Sequence, residues 1–211
     1  VPNYPYSAYG PNPYGGNVNA DNGWGGWKWP GGVPSALLTS FDVPAGGGLA
    51  HLTFRSELVE LVRLSFQIAA KHGYTIYAVH NGEVWGPWSY ENRAISGSSV
   101  ASNHSRGRAW DINAPNNPFH DPLICDMPPA MVNDFESIGW AWGGRYSGRK
   151  DAMHYEFGYT PGDVGRFVAK AKSILGGVVI PPPDPGPGPT PTPEPAGHWL
   201  NSVIPVLNWS A

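Results

Sequence analysis

The chain has 211 residues, 41% of them hydrophobic and 14% charged, with a formal net charge of −3. This length suits one domain with a sizeable core plus tails, not two full domains. A slightly acidic chain with no long run of Lys or Arg lacks the phosphate-neutralising surface that nucleic-acid binding depends on. No apolar stretch approaches the roughly 20 residues of a membrane span.

Gly (28) and Pro (24) are heavily used, so loops, turns and extended segments take up much of the chain. Ten Trp and ten Tyr suit either an aromatic core or a groove that stacks on sugars or peptides. The single cysteine, Cys125, excludes an intramolecular disulfide and a cysteine-based metal site, and reads as a small buried residue. The chain begins with Val and no signal peptide is visible, which suggests a processed product or an excised fragment.

Residues 1–35 read as an irregular N-terminal arm, rich in Tyr-Pro, Pro-Asn-Pro and Gly-Gly steps. Trp24, Trp27 and Trp29 are expected to pin it to the domain's own surface, with ligand contact as the alternative. The domain proper is expected over 36–178. Leu58, Leu61, Val62, Leu64, Ile68 and Ala69 recur at helical spacing, which predicts a helix over 55–72 capped by Gly73. The β-branched and aromatic run 74–79 reads as a strand, 80–103 as loops and 108–113 as a second strand. Pro128 and Pro129 open a short helix through Ser137, 155–157 is a further strand, and a helix over 162–175 closes the domain. Residues 179–195 are proline-rich and are expected to form an extended, semi-rigid linker. The last sixteen residues, 196–211, are too few for a core; they either dock back or begin a further module.

The chemistry concentrates in Ser102-Asn-His104-Ser-Arg-Gly107-Arg-Ala109-Trp-Asp111-Ile-Asn113. A His and an Asp seven residues apart arise often by chance. Here Gly107 permits a sharp turn between them, and the strand-like alternation after it lets Asp111 point at a cleft on one face. Further on, Asp151-Ala-Met-His154-Tyr-Glu-Phe157 offers a second imidazole, with a carboxylate three residues before it. Two imidazoles and a carboxylate, with an open fourth position and a second carboxylate beside it, are what a metal-dependent hydrolase requires.

The pattern Ser102-x-His104-x-x-Gly107-x-Ala109-x-Asp111, followed by Asp151-x-x-His154 and an aromatic residue, resembles the zinc D-alanyl-D-alanine carboxypeptidase and L-alanyl-D-glutamate endopeptidase family, which includes phage endolysins. Asn92-Arg93-Ala-Ile-Ser-Gly97, Asn117-Pro118 and Gly139-Trp-Ala-Trp-Gly-Gly144 extend the likeness, which covers 90–158, about a third of the chain. The resemblance implies an α+β fold of the Hedgehog/D-Ala-D-Ala peptidase type, with a small antiparallel sheet flanked by helices. It implies Zn2+ held by His104, Asp111 and His154, with Asp151 as general base and Arg93 polarising the scissile carbonyl. Ser102 would hydrogen-bond near the substrate, and Trp142 and Tyr155 would help bind it, with core and cleft-wall packing as their other reading. Bacterial peptidoglycan is the implied partner, with action on the cell wall and a monomeric state expected. Aspartate as the base looks more like the endopeptidase lysins, a cut at L-Ala–D-Glu, than like the D-Ala-D-Ala carboxypeptidases. A non-catalytic, zinc-stabilised wall-binding module is the reading from another class. Arg145 departs from the commoner aromatic or acidic residue at its place in the Trp-Gly-Gly-x run.

Overall fold

The computed structural model describes residues 2–14, 21–95 and 97–176. The sequence-derived linker over 179–195 and tail over 196–211 lie outside them. The fold is α+β, as expected: small antiparallel sheets with helices packed against them. Among the described residues, no helix is long and apolar enough to cross a membrane.

The first strands form a hairpin that the sequence reading did not foresee, β1 (Leu38–Ala45) paired with β2 (Gly48–Arg55). Phe41 faces Leu52 and Val43 faces Ala50 across the ladder, and these four bury one side of it. A 3-10 turn then leads into α1 (Val59–Lys71), whose Leu61, Val62, Leu64 and Ile68 are buried. Gly73, at φ 69°, follows as a left-handed stop.

The strand expected over 74–79 is corrected. Only Val79–His80 (β3) forms a ladder, with Glu83–Val84 (β4), around an Asn81-Gly82 turn. Before it the backbone finds other partners. Asn113 donates from Nδ2 to the Thr75 carbonyl (2.8 Å) and accepts from the Tyr77 amide (2.9 Å), filling the place of a neighbouring strand. The β3–β4 hairpin also interrupts the stretch expected to be all loop.

The remaining elements are β5 (Ala109–Asp111), β6 (Phe119–His120), α2 (Pro129–Ser137), β7 (Trp140–Trp142), β8 (Lys150–Asp151), β9 (His154–Phe157) and α3 (Val164–Ile174). A capping box between Thr160 and Asp163 starts the last helix. The central sheet runs β5-β9-β7, and β6 pairs with β8 beside it. Helices α1, α2 and α3 contact one another around an aromatic core that includes Trp110, Trp140, Phe135 and Phe157. Cys125 is fully buried and unpaired.

The N-terminal segments are tied to this body by specific bonds. Tyr9 is buried and donates to the Met127 carbonyl (3.1 Å), and Trp24 Nε1 donates to the Tyr159 carbonyl (2.7 Å). Trp27 donates to Ser105 Oγ (3.2 Å) and carries the Arg106 guanidinium 3.9 Å above its ring, whereas Trp29 is 38% exposed.

Candidate active site

The register of the central sheet decides which side chains meet. Asp111 faces His154, Trp110 faces Tyr155 and Ala109 faces Glu156 across β5 and β9. On the other side of β9, Trp142 faces Tyr155 and Trp140 faces Phe157. Opposed residues share a face and successive ones alternate. Asp111, His154 and Glu156 therefore project to one side of the sheet, while the aromatic residues project into the core.

His104 reaches the same side from a 3-10 turn, Asn103–Arg106. Ser102 caps that turn, its Oγ accepting from the His104 amide (3.3 Å), and Gly107 ends it at φ 68°, a conformation that side chains with a Cβ resist. The His104 ring is then fixed by the Ser89 carbonyl, 2.7 Å from Nδ1. A carbonyl only accepts, so Nδ1 carries the proton and Nε2 is left free to ligate.

His104 Nε2 lies 3.2 Å from Asp111 Oδ2, and His154 Nδ1 lies 2.8 Å from Asp111 Oδ1. The ligand atoms of the three residues all fall within 4.8 Å of one another, a spacing that can hold a metal ion. The donor set, two imidazoles and one carboxylate with both oxygens turned inward, suits a divalent ion with an open coordination position. Burial alone would raise the Asp111 carboxyl, but the hydrogen bonds and charge of the two imidazoles outweigh it and hold Asp111 well below the usual carboxylate range. His154 is buried, which disfavours its charged form. Asp111 and Glu156 overcome that penalty and raise it well above an ordinary histidine. A metal held here would compete with the proton that these two carboxylates favour on His154.

Asp151 stands next to this group on β8. Its Oδ1 is buried without a hydrogen-bond partner, and burial pushes its carboxyl up to about 6, against the pull of His154. The charges of Asp111 and His104 also act on it, which places it beside the cluster. Its approach depends on Gly143: a Cβ there would lie 2.5 Å from the Asp151 carbonyl oxygen. A carboxylate with an unpartnered buried oxygen beside a prospective metal site is a candidate proton acceptor.

Glu156 is a site residue that the sequence reading passed over. It is 2% exposed, shares the face of His154, and approaches His154 Nε2 with Oε2 at 3.6 Å. Asn103 Nδ2 and the Tyr146 hydroxyl donate to its two oxygens, the latter at 3.0 Å. The two-residue alternation from His154 is the signal that would have found it.

Burial and bonding place the other expected site residues as follows. Tyr155 is fully buried, its hydroxyl against Met127 Sδ (3.3 Å), and Trp142 is 2% exposed, donating to the Ala152 carbonyl (2.8 Å). Both lie on the core face of the sheet, packed in the aromatic core. Ser102 is 6% exposed and is engaged as the cap that orients His104. Arg93 is not drawn into the cluster: its Nε donates to Glu91 at 2.7 Å on the exposed surface. Arg145, the departure in the Gly-rich run, forms a two-bond pair with buried Glu136 and donates to the Tyr9 and Gly10 carbonyls, fastening the N-terminal segment.

Residues 96–157 match a family model described as D-alanyl-D-alanine carboxypeptidase, the peptidase family that the motifs resemble. The matched stretch contains His104, Asp111, Asp151 and His154. No curated protein and no solved structure matches the chain.

Proposed function

We propose that the chain is a zinc-dependent peptidase acting on the stem peptides of bacterial peptidoglycan, with the bond between L-alanine and D-glutamate as its target. The observation that carries this reading is the convergence of His104, Asp111 and His154, with Asp151 poised beside them, inside the stretch similar to a peptidase family. His104 through Nε2, Asp111, and His154 through Nδ1 would hold the ion. Zinc bound there supplies a Lewis acid and makes a water molecule acidic near neutral pH.

The chain's own groups do the rest. Asp151 takes a proton from the attacking water and returns it to the leaving amine. Ser89, through its carbonyl, and Glu156 hold the two imidazoles in the tautomer and orientation that ligation requires. Arg93 polarises the scissile carbonyl only after exchanging Glu91 for it. Action on the cell wall, as an endolysin or a related lytic enzyme, fits a catalytic domain followed by a proline-rich tether.

Digestion of purified cell wall by the zinc-loaded chain should release new amino groups and no new reducing sugars. Full activity in Asp151→Ala would overturn the assigned base. A second reading, D-Ala-D-Ala carboxypeptidase, is favoured by the description of the matching family model. Free D-alanine in the products supports that reading, and fragments cut at L-Ala–D-Glu support the first.

A further inference from the structure

We infer that Arg149, held on the ring of Phe119, reads the free carboxylate of the residue on the amine side of the scissile bond. The inference rests on the peptidase reading above, with Asp151 as the proton carrier. Strand β6 is paired with β8 so that Phe119 stands directly across from Asp151. Opposed residues in an antiparallel ladder share a face, so Phe119 projects to the same side as Asp151, and Arg149 sits in the bend just before β8. The Arg149 guanidinium carbon lies 4.4 Å from the centre of the Phe119 ring. One surface therefore carries the proposed base, an aromatic platform and a cation in sequence.

Arg149 differs from Arg93 and Arg145. Arg93 is paired with Glu91 and Arg145 with Glu136, whereas no carboxylate among the described residues pairs with Arg149. Its neighbour Lys150 is engaged by the Tyr146 carbonyl. Phe119 is 45% exposed, and its ring limits the freedom of the guanidinium stacked on it. The result is an exposed cation, partly preordered and open to an anionic partner.

The reaction says what that partner is. Because Asp151 hands its proton to the leaving nitrogen, the amine-side residue lies on the Asp151 side of the cleft. In the stem peptide D-glutamate continues through its γ-carboxyl, so its α-carboxylate stays free one carbon from that nitrogen. A terminal D-alanine presents the same group in the same place. Both candidate bonds therefore offer a carboxylate to Arg149, whose planar fork suits it.

The test uses the zinc-loaded full chain and synthetic stem peptides in pairs that differ only at this carboxylate, free acid against amide, for each of the two bonds. The wild type should cut the acid form of its bond with a KM about tenfold lower than the amide, at similar kcat. Arg149→Ala should lose that preference by raising KM for the acid alone, and Arg149→Lys should restore part of it. Phe119→Leu, which keeps the cation but removes its platform, should fall between. A wild type that cuts acid and amide equally, or an Arg149→Ala variant that keeps the full preference, overturns the assignment while leaving the peptidase reading intact. A wild type that cuts neither form of either bond overturns that reading, and this assignment with it.

Discussion

Gly143 lies so close to Asp151 that a Cβ on it would stand 2.5 Å from the Asp151 carbonyl oxygen and 3.1 Å from the His154 Cβ. The nearest obstacle is backbone, which cannot swing aside as the end of a long side chain can. Gly143→Ala should therefore push β8 away from the cluster and carry the Asp151 carboxylate with it. A misplacement of this size is expected to lower kcat by roughly a hundredfold, while thermal unfolding remains cooperative. Steady-state kinetics beside a melting curve checks this; a wild-type rate would mean that the close approach has no bearing on Asp151.

The ionisation of Asp151 sets the acid side of the pH profile. A carboxyl raised to about 6 by burial is protonated below that pH and cannot accept a proton from water. Activity should then rise with pH up to about 6 and level off above it, and a bound cation, which favours the carboxylate, moves the midpoint downward. Asp151→Asn should remove this limb together with roughly 10²–10⁴-fold of the rate. A profile whose acid limb survives in Asp151→Asn would assign the limb to another group.

Glu156 reaches the proposed metal ligands through His154. Replacing it by Gln keeps the shape and the bond from Asn103 but removes the charge that faces His154 Nε2. Outer partners of metal-binding histidines typically account for about 10–100-fold in affinity. Zinc titration of Glu156→Gln against a competing chelator should show a loss of that order, with Glu156→Asp intermediate. Unchanged zinc affinity would mean that Asp111 alone orients the ring.

Local pattern made much of this molecule legible, and distant contacts account for the rest. Helix α1 follows from apolar residues at helical spacing and a glycine stop; α2 follows from paired prolines at its start. The β1–β2 hairpin stayed hidden because Ser40, Asp42 and His51 fill its outer face and Pro44 breaks the strand signal. The strand expected over 74–79 failed because Asn113, far along the chain, supplies the hydrogen bonds that a partner strand would have made. Within the site, motif spacing named the residues of the cluster. Alternation along β9 would have corrected the rest: counting from His154, Glu156 faces the cluster and Tyr155 faces the core. No local rule could tell that Glu91 holds Arg93, because that is a choice between exposed partners.

Arg145 and Glu136 form a buried ion pair, their side chains 3% and 1% exposed, and the arginine also holds the Tyr9 and Gly10 carbonyls. Burial raises the Glu136 carboxyl, and the Arg145 bond opposes that rise. Arg145→Ala leaves a carboxylate buried with no counter-charge, a change that typically costs about 3–5 kcal/mol. The sign of the pH dependence follows. Without Arg145 the folded-state value of Glu136 climbs further above its unfolded value, so the folded protein binds the extra proton and the penalty grows as pH rises between the two. Urea unfolding should therefore show a larger deficit for Arg145→Ala at pH 7 than at pH 5. Replacing both residues by Met removes the stranded charge as well as the pair, and should recover most of the loss. If the double variant were no more stable than Arg145→Ala, the deficit would come from the released Tyr9 and Gly10 carbonyls rather than from the buried charge.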